Sequence, residues 1–99
     1  MVQHKFRPGE VVGLPCEVRG GPFPNERRVY IKNDLSEWFG FVNTSELRYK
    51  KTEGKDEVRG VVVTVKPDHV VVGVRGQSPA SGAIQAKPSQ ITEYGAQQA

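Results

Sequence analysis

The sequence predicts an all-β fold: a small barrel of five to six short strands, with one or two 3₁₀ turns and a faint twofold internal repeat. Three observations lead to it. Residues 57–76 form two valine-rich runs meeting at Pro67-Asp68, the pattern of a β-hairpin. The other apolar runs are short, broken by Gly and Pro, and none is long enough for a sizeable helix. Each half of the chain has two β runs, a short strand (40–42 or 84–86) and a polar turn ending in an aliphatic residue, so that Ser45 matches Ser89 and Leu47 matches Ile91. In a chain of this size such strands close most economically as a small barrel or a pair of packed sheets.

The hairpin is the centre of this reading. Pro67 presets φ for a type I turn and Asp68 favours the next position, so Lys66 and His69 close the turn. Counting outward opposes Val65 with Val70, Val63 with Val72 and Val61 with Val74. Opposed residues share a face, so six valines are expected on one buried side. The other side holds Val62, Thr64, Gly60, Val71, Gly73 and Arg75, a mixed surface open to water or a partner.

With 99 residues, the chain is long enough for one core and one domain, with half-repeats at about 8–49 and 56–94 and a frayed end at 95–99. A hydrophobic share of 36% against 25% charged residues excludes a disordered chain. The net charge of +3 and pI near 9.2 permit an anionic partner without demanding one. Cys16 is the single cysteine, which excludes an intramolecular disulfide and suits a reducing, cytoplasmic setting. No apolar run has the length of a signal peptide or a membrane span, so no membrane partner is expected.

Taken in order, 6–10 is a turn, and 11–18, interrupted by Gly13 and Pro15, is expected to be an edge strand. Residues 19–26 form a Gly/Pro loop presenting Phe23. Residues 27–32 alternate as a half-buried strand, 33–36 turn, and 37–42 is a strand holding three of the eight aromatics and much of the core volume. The 43–47 segment is a 3₁₀ turn ending on a buried Leu47. The charged stretch 48–56 is expected as a solvated loop. After the hairpin come a small-residue loop at 77–82, a short strand at 83–86 and a second helical turn at 88–91.

This order of elements is similar to SH3-like barrels. Gly20-Gly21-Pro22-Phe23, and Gly60-Val61-Val62 through Val72-Gly73-Val74 to Pro88-Ser89-Gln90-Ile91, resemble KOW-motif domains of ribosomal proteins and transcription-elongation factors. The resemblance implies an RNA or ribosome contact through Arg27, Arg28, Tyr30, Lys50 and Lys51. The alanine-leucine-tyrosine and tryptophan-tryptophan signatures of proline-peptide-binding SH3 domains are absent, so that specificity is not implied.

Among candidate contact residues, Phe23 between two prolines either docks on a partner or folds back as a lid. Arg27, Arg28, Lys32, Arg48, Lys50 and Lys51, interleaved with Tyr30 and Tyr49, make either a phosphate-binding strip or a solvated charged face shared with Glu26, Asp34, Glu37, Glu46 and Glu53. Trp38 is either core packing or an interface anchor. His4 and His69 belong to no catalytic motif, and one cysteine with two histidines gives no ligand spacing. No cofactor, metal or catalytic residue is therefore expected. The functional expectation is a non-catalytic binding module whose partner is a protein or a second copy of the chain. A KOW-like RNA-binding role is the alternative, and a small-barrel enzyme assembled across subunits a third reading.

Overall fold

The two longest strands organise the structure, a computed structural model that describes residues 5–76 and 83–94. Strand β1 (Val11–Gly20) and strand β4 (Gly54–Val65) pair antiparallel from Val11↔Val61 to Val18↔Gly54. Each is long enough to take further partners along its other edge. On β1 these are β2 (Glu26–Lys32), opposite Glu17 to Gly20, and β7 (Thr92–Glu93), opposite Val12 and Gly13. On β4 they are β5 (Val70–Val74) and, nearer its start, the single bridge Leu47↔Val58. Strand β3 (Glu37–Asn43) continues outward from β2, and β6 (Ala83–Ala86) from β5, giving the order β3-β2-β1-β4-β5-β6. The outer strands approach each other at Ser36, whose hydroxyl donates to Gln85 O and accepts from Gln85 N, both at 3.0 Å. The result is an all-β, nearly closed six-strand barrel of the SH3-like kind, as the sequence predicts.

The twofold repeat is visible in the register. A shift of 44 residues, the distance from Leu47 to Ile91, carries Leu14 onto Val58, and these two residues are paired with each other. The same shift carries the Arg48 N→Glu57 O bond onto the Thr92↔Gly13 pair. Both 3₁₀ turns, Thr44–Glu46 and Pro88–Gln90, end with an aliphatic N–H bonded back to the start of the turn: Leu47 N to Thr44 O at 3.1 Å and Ile91 N to Pro88 O at 3.3 Å. Asn43 caps the first turn by accepting from Ser45 N.

The core is built from alternate residues of every long strand: Val12, Leu14 and Val18; Val29 and Ile31; Trp38 and Val42; Val58 and Val62; Val70, Val72 and Val74. Ile84 and Ala86 from β6 complete it, with Leu47 and Ile91 at the ends of the turns. Gly60 is required inside it, since a Cβ there would overlap a methyl of Val72.

Three expectations are corrected. The hairpin turn forms as expected, with Lys66 N bonded to His69 O at 2.8 Å, and Val65 faces Val70. Beyond Thr64↔Val71, however, a β-bulge at Val63 shifts the register, so Val62 pairs Val72, Val61 pairs Gly73 and Gly60 pairs Val74. The extra residue moves Val62 into the core and leaves Val61 and Val63 exposed; Val65, beside the turn and still paired with Val70, is exposed as well. Only Val70, Val72 and Val74 of the six-valine set are buried. Second, β1 is an interior strand, not an edge. Pro15 is tolerated there because it falls between the segment paired with β7 and the segment paired with β2. Third, the stretch 48–56 is not all solvated loop: β4 begins at Gly54 and Asp56 is buried. Strand β3 contributes Trp38 and Val42 to the core but turns Phe39 outward. The predicted loop at 77–82 and the frayed end at 95–99 lie outside the described residues.

The bulge makes a sharp prediction. Val72→Asp places an unpaired carboxylate in the core and should cost several kcal/mol, out of a total of about 5–15 kcal/mol, leaving a largely unfolded chain. Val63→Asp should shift stability by only about 0.5 kcal/mol. Thermal or urea unfolding checks both, and equal, severe loss in the two variants would restore the unbulged register.

Candidate binding surfaces

The outward positions of β1, β2 and β3 line up in cross-strand rows. One row runs Glu17, Tyr30, Phe39, and the next Arg19, Arg28, Phe41. These six side chains line an open groove of about 540 Å³, apolar toward β3 and charged toward β1. Phe39 is 56% exposed and Tyr30 39%. The Tyr30 hydroxyl donates to the Glu37 carboxylate, which raises its pKa and fixes the ring at the groove edge. At the other edge Arg19 Nη1 pairs with Glu53 Oε2 at 3.2 Å, and Arg28 Nε reaches Gly20 O at 3.4 Å.

A second site surrounds the turn at 48–51. The buried Asp56 carboxylate accepts from Tyr49 N (3.0 Å), Lys51 N (2.9 Å) and Glu57 N (2.6 Å), tying the turn to β4. Within the turn Lys50 takes φ +52°, the left-handed region that non-glycine residues seldom adopt. Arg48 packs over the Tyr94 ring, 4.8 Å from its centroid, and donates to Glu57 Oε1 at 3.0 Å; Thr92 Oγ1 donates to the same oxygen at 2.9 Å. Gly13 is what lets these groups approach, since a Cβ there would overlap Thr92 Oγ1 and Glu57 Oε1. Beside them Arg59 Nε donates to the buried Glu46 carboxylate at 3.1 Å, which raises the Arg59 pKa further. Ser45, Arg48, Lys50, Arg59 and Tyr94 line a pocket of about 340 Å³.

The structure therefore divides the predicted contact residues. Arg28 and Tyr30 share the groove, while Tyr49, Lys50 and Lys51 stand exposed on the turn. Phe23 is 62% exposed, a loop tip and not a lid. Arg27 is turned onto its own loop, donating to Pro24 O (2.9 Å), Glu26 O (2.9 Å) and Lys51 O (3.1 Å), so it fastens two loops together. Trp38 is corrected from the contact set: at 1% exposure it is core, and its Nε1 has no hydrogen-bond partner among the described residues. Lys32 is exposed opposite Glu37. Sequence reasoning missed Phe39, Phe41 and Arg19, although strict alternation with buried Trp38 and Val42 would have placed both phenylalanines outside. It also missed Arg59 and Tyr94. Here the repeat carries the signal, because the 44-residue shift maps Lys50 onto Tyr94.

His69 Nδ1 lies 2.8 Å from Asp68 Oδ1 at the exposed hairpin turn, which lowers the Asp68 pKa; His4 lies outside the described residues. No group of three His, Cys, Asp or Glu among the described residues is placed to hold a metal ion, and no helix among them is long and apolar enough to cross a membrane. Comparison with protein-family models, with curated proteins and with solved structures finds no significant match to this chain.

Two buried acids link stability to alkaline pH. Burial pushes the Cys16 thiol from 9.0 up to about 12, and the Tyr94 phenol from 10.0 up to about 12. The unfolded chain loses these protons first. Their contribution is therefore complete below pH 9.0 and declines as pH rises toward about 12. Melting temperatures across this range should fall with pH, with a shallower slope in Tyr94→Phe and Cys16→Ala; identical slopes in all three proteins would contradict the assignment.

Proposed function

We propose that this chain is a non-catalytic binding module that docks a protein partner on the groove formed by β1, β2 and β3. The observation that carries the reading is the cluster of Tyr30, Phe39 and Phe41 held on the outside of the barrel beside Arg19 and Arg28. Exposed aromatics grouped with arginine are the residues that dominate protein interfaces. The rim favours a protein over a polyanion, because Glu17 lines the groove and Glu37 closes its edge at Tyr30. A second copy of the chain is included among such partners, since Val61, Val63 and Val65 expose another apolar strip on β4.

The turn at 48–51 favours a second reading, RNA binding. Tyr49, Lys50 and Lys51 are adjacent and exposed there, the combination of ring and cation that single-stranded nucleic acid uses. That reading requires binding that weakens steeply with salt.

Using the chain as bait in a lysate of its own cells, with light scattering to detect self-association, separates these readings. A partner held by the wild type should be lost with Phe39→Lys, at a penalty of about 2 kcal/mol or more, or roughly thirtyfold in affinity, and retained by Lys66→Glu, an exposed residue of the hairpin turn outside the groove. Equal retention by both variants, or no bound protein and no self-association, would remove the basis for the groove.

A further inference from the structure

We infer that the pocket beneath the 48–51 turn is a binding site for a single phosphate group. It is independent of the groove. The pocket has three cationic side chains on its lining, Arg48, Lys50 and Arg59, against one carboxylate, Glu46. Glu46 is engaged by Arg59 Nε, and Glu57, just outside the lining, is engaged by Arg48 Nη1. After both pairings are counted, Lys50 is left with neither a hydrogen bond nor an ion pair among the described residues. Its ammonium is the uncompensated charge at the mouth of a concave site.

Two features indicate that Lys50 is held there by design of the turn. A positive φ at a lysine is unfavourable unless its surroundings impose it. Here the imposing group is the buried Asp56 carboxylate, which fixes the N–H groups on both sides of Lys50. A buried carboxylate spent on two backbone donors of an exposed turn gives the core nothing by way of apolar packing; what it does is hold the turn over the pocket.

The donor set matches a tetrahedral oxyanion better than a planar carboxylate. Arg48 and Lys50 come from the turn and Arg59 from β4, so the charges reach the pocket from two elements. Guanidinium and ammonium groups together are the usual partners of phosphate. Ser45 and Tyr94 add hydroxyl-bearing side chains to the lining. A volume of about 340 Å³ is ample for one phosphate. Tyr49 is exposed beside the mouth, where it offers a face for a base if the phosphate belongs to a nucleotide.

The test is amide chemical-shift titration of the full chain with inorganic phosphate and, separately, with adenosine monophosphate, at constant ionic strength set with potassium chloride. Saturable shifts at Lys50, Arg59 and Tyr94 are expected with both. Lys50→Gln should weaken binding about tenfold, the loss of one charge-assisted hydrogen bond; Lys50→Arg should retain it, and Lys51→Gln, outside the lining, should change it by less than about twofold. If adenosine monophosphate binds more tightly and Tyr49→Ala abolishes the difference, the phosphate is that of a nucleotide; equal affinities identify free phosphate or a simple monoester. Shifts that do not saturate, shifts that chloride reproduces, or equal losses in Lys50→Gln and Lys51→Gln would overturn the site. So would binding of a single-stranded oligonucleotide by a protein that ignores both small ligands, because the turn would then be an open backbone-binding surface.

Discussion

Everything in this barrel hangs on the antiparallel pairing of β1 with β4 about Leu14 and Val58. Both side chains are buried, and the pair sits at the centre of the 44-residue repeat. Each strand is longer than any of its other partners. Its surplus length accepts a hairpin arm on one half and a short returning segment on the other, and this lets an open sheet curl back upon itself. The same arrangement concentrates polar chemistry on the outer side of the centre. Arg59 stands opposite Gly13 and Glu57 opposite Pro15, while Arg48 and Thr92 arrive from the two returning segments. The phosphate pocket is a product of the fold's pseudosymmetry, assembled where its two halves meet.

The strands and the hairpin turn were legible in the sequence because they depend on local signals: alternation at Val29 and Ile31, the Pro67-Asp68 corner, and the polar turn chemistry of residues 43–46 and 88–90. What escaped depends on pairing between distant segments. No local feature marks the bulge at Val63, since a run of valines satisfies either register. The choice is made by Gly60, which has to lie under Val72. Pro15 similarly argues for an edge when read alone, and only the two-part partnering of β1 makes an interior position possible. Asp56 looks like loop until its three N–H donors are in place.

The functional surfaces follow the same division. Tyr30 and Arg28 were recognisable as outward positions of an alternating strand, but their neighbours Phe39 and Phe41 were assigned to the core on hydrophobicity alone. Hydrophobicity is a one-way guide to burial. The basic residues do not converge into one strip as the linear sequence suggested. Arg27 is consumed by loop carbonyls, Arg19 by Glu53 and Arg59 by Glu46, leaving the turn residues Lys50 and Lys51 as exposed cations beside an otherwise neutralised network. Charge count alone says little about such a protein; what matters is which charges the fold has already spent.

The contact between Ser36 and Gln85 gives the barrel a mechanical asymmetry. Each junction in the order β3-β2-β1-β4-β5-β6 is a ladder of four or more residue pairs, whereas here the described residues meet through one hydroxyl and the exposed Lys87–Asp34 pair, at 3.1 Å. The molecule is accordingly a rolled strip with a clasp. Local opening is expected to begin where the joints are fewest, between β3 and β6, while the β1–β4 spine with its long ladder stays closed. Amide exchange along that junction would be governed by local opening, and along the spine by global unfolding.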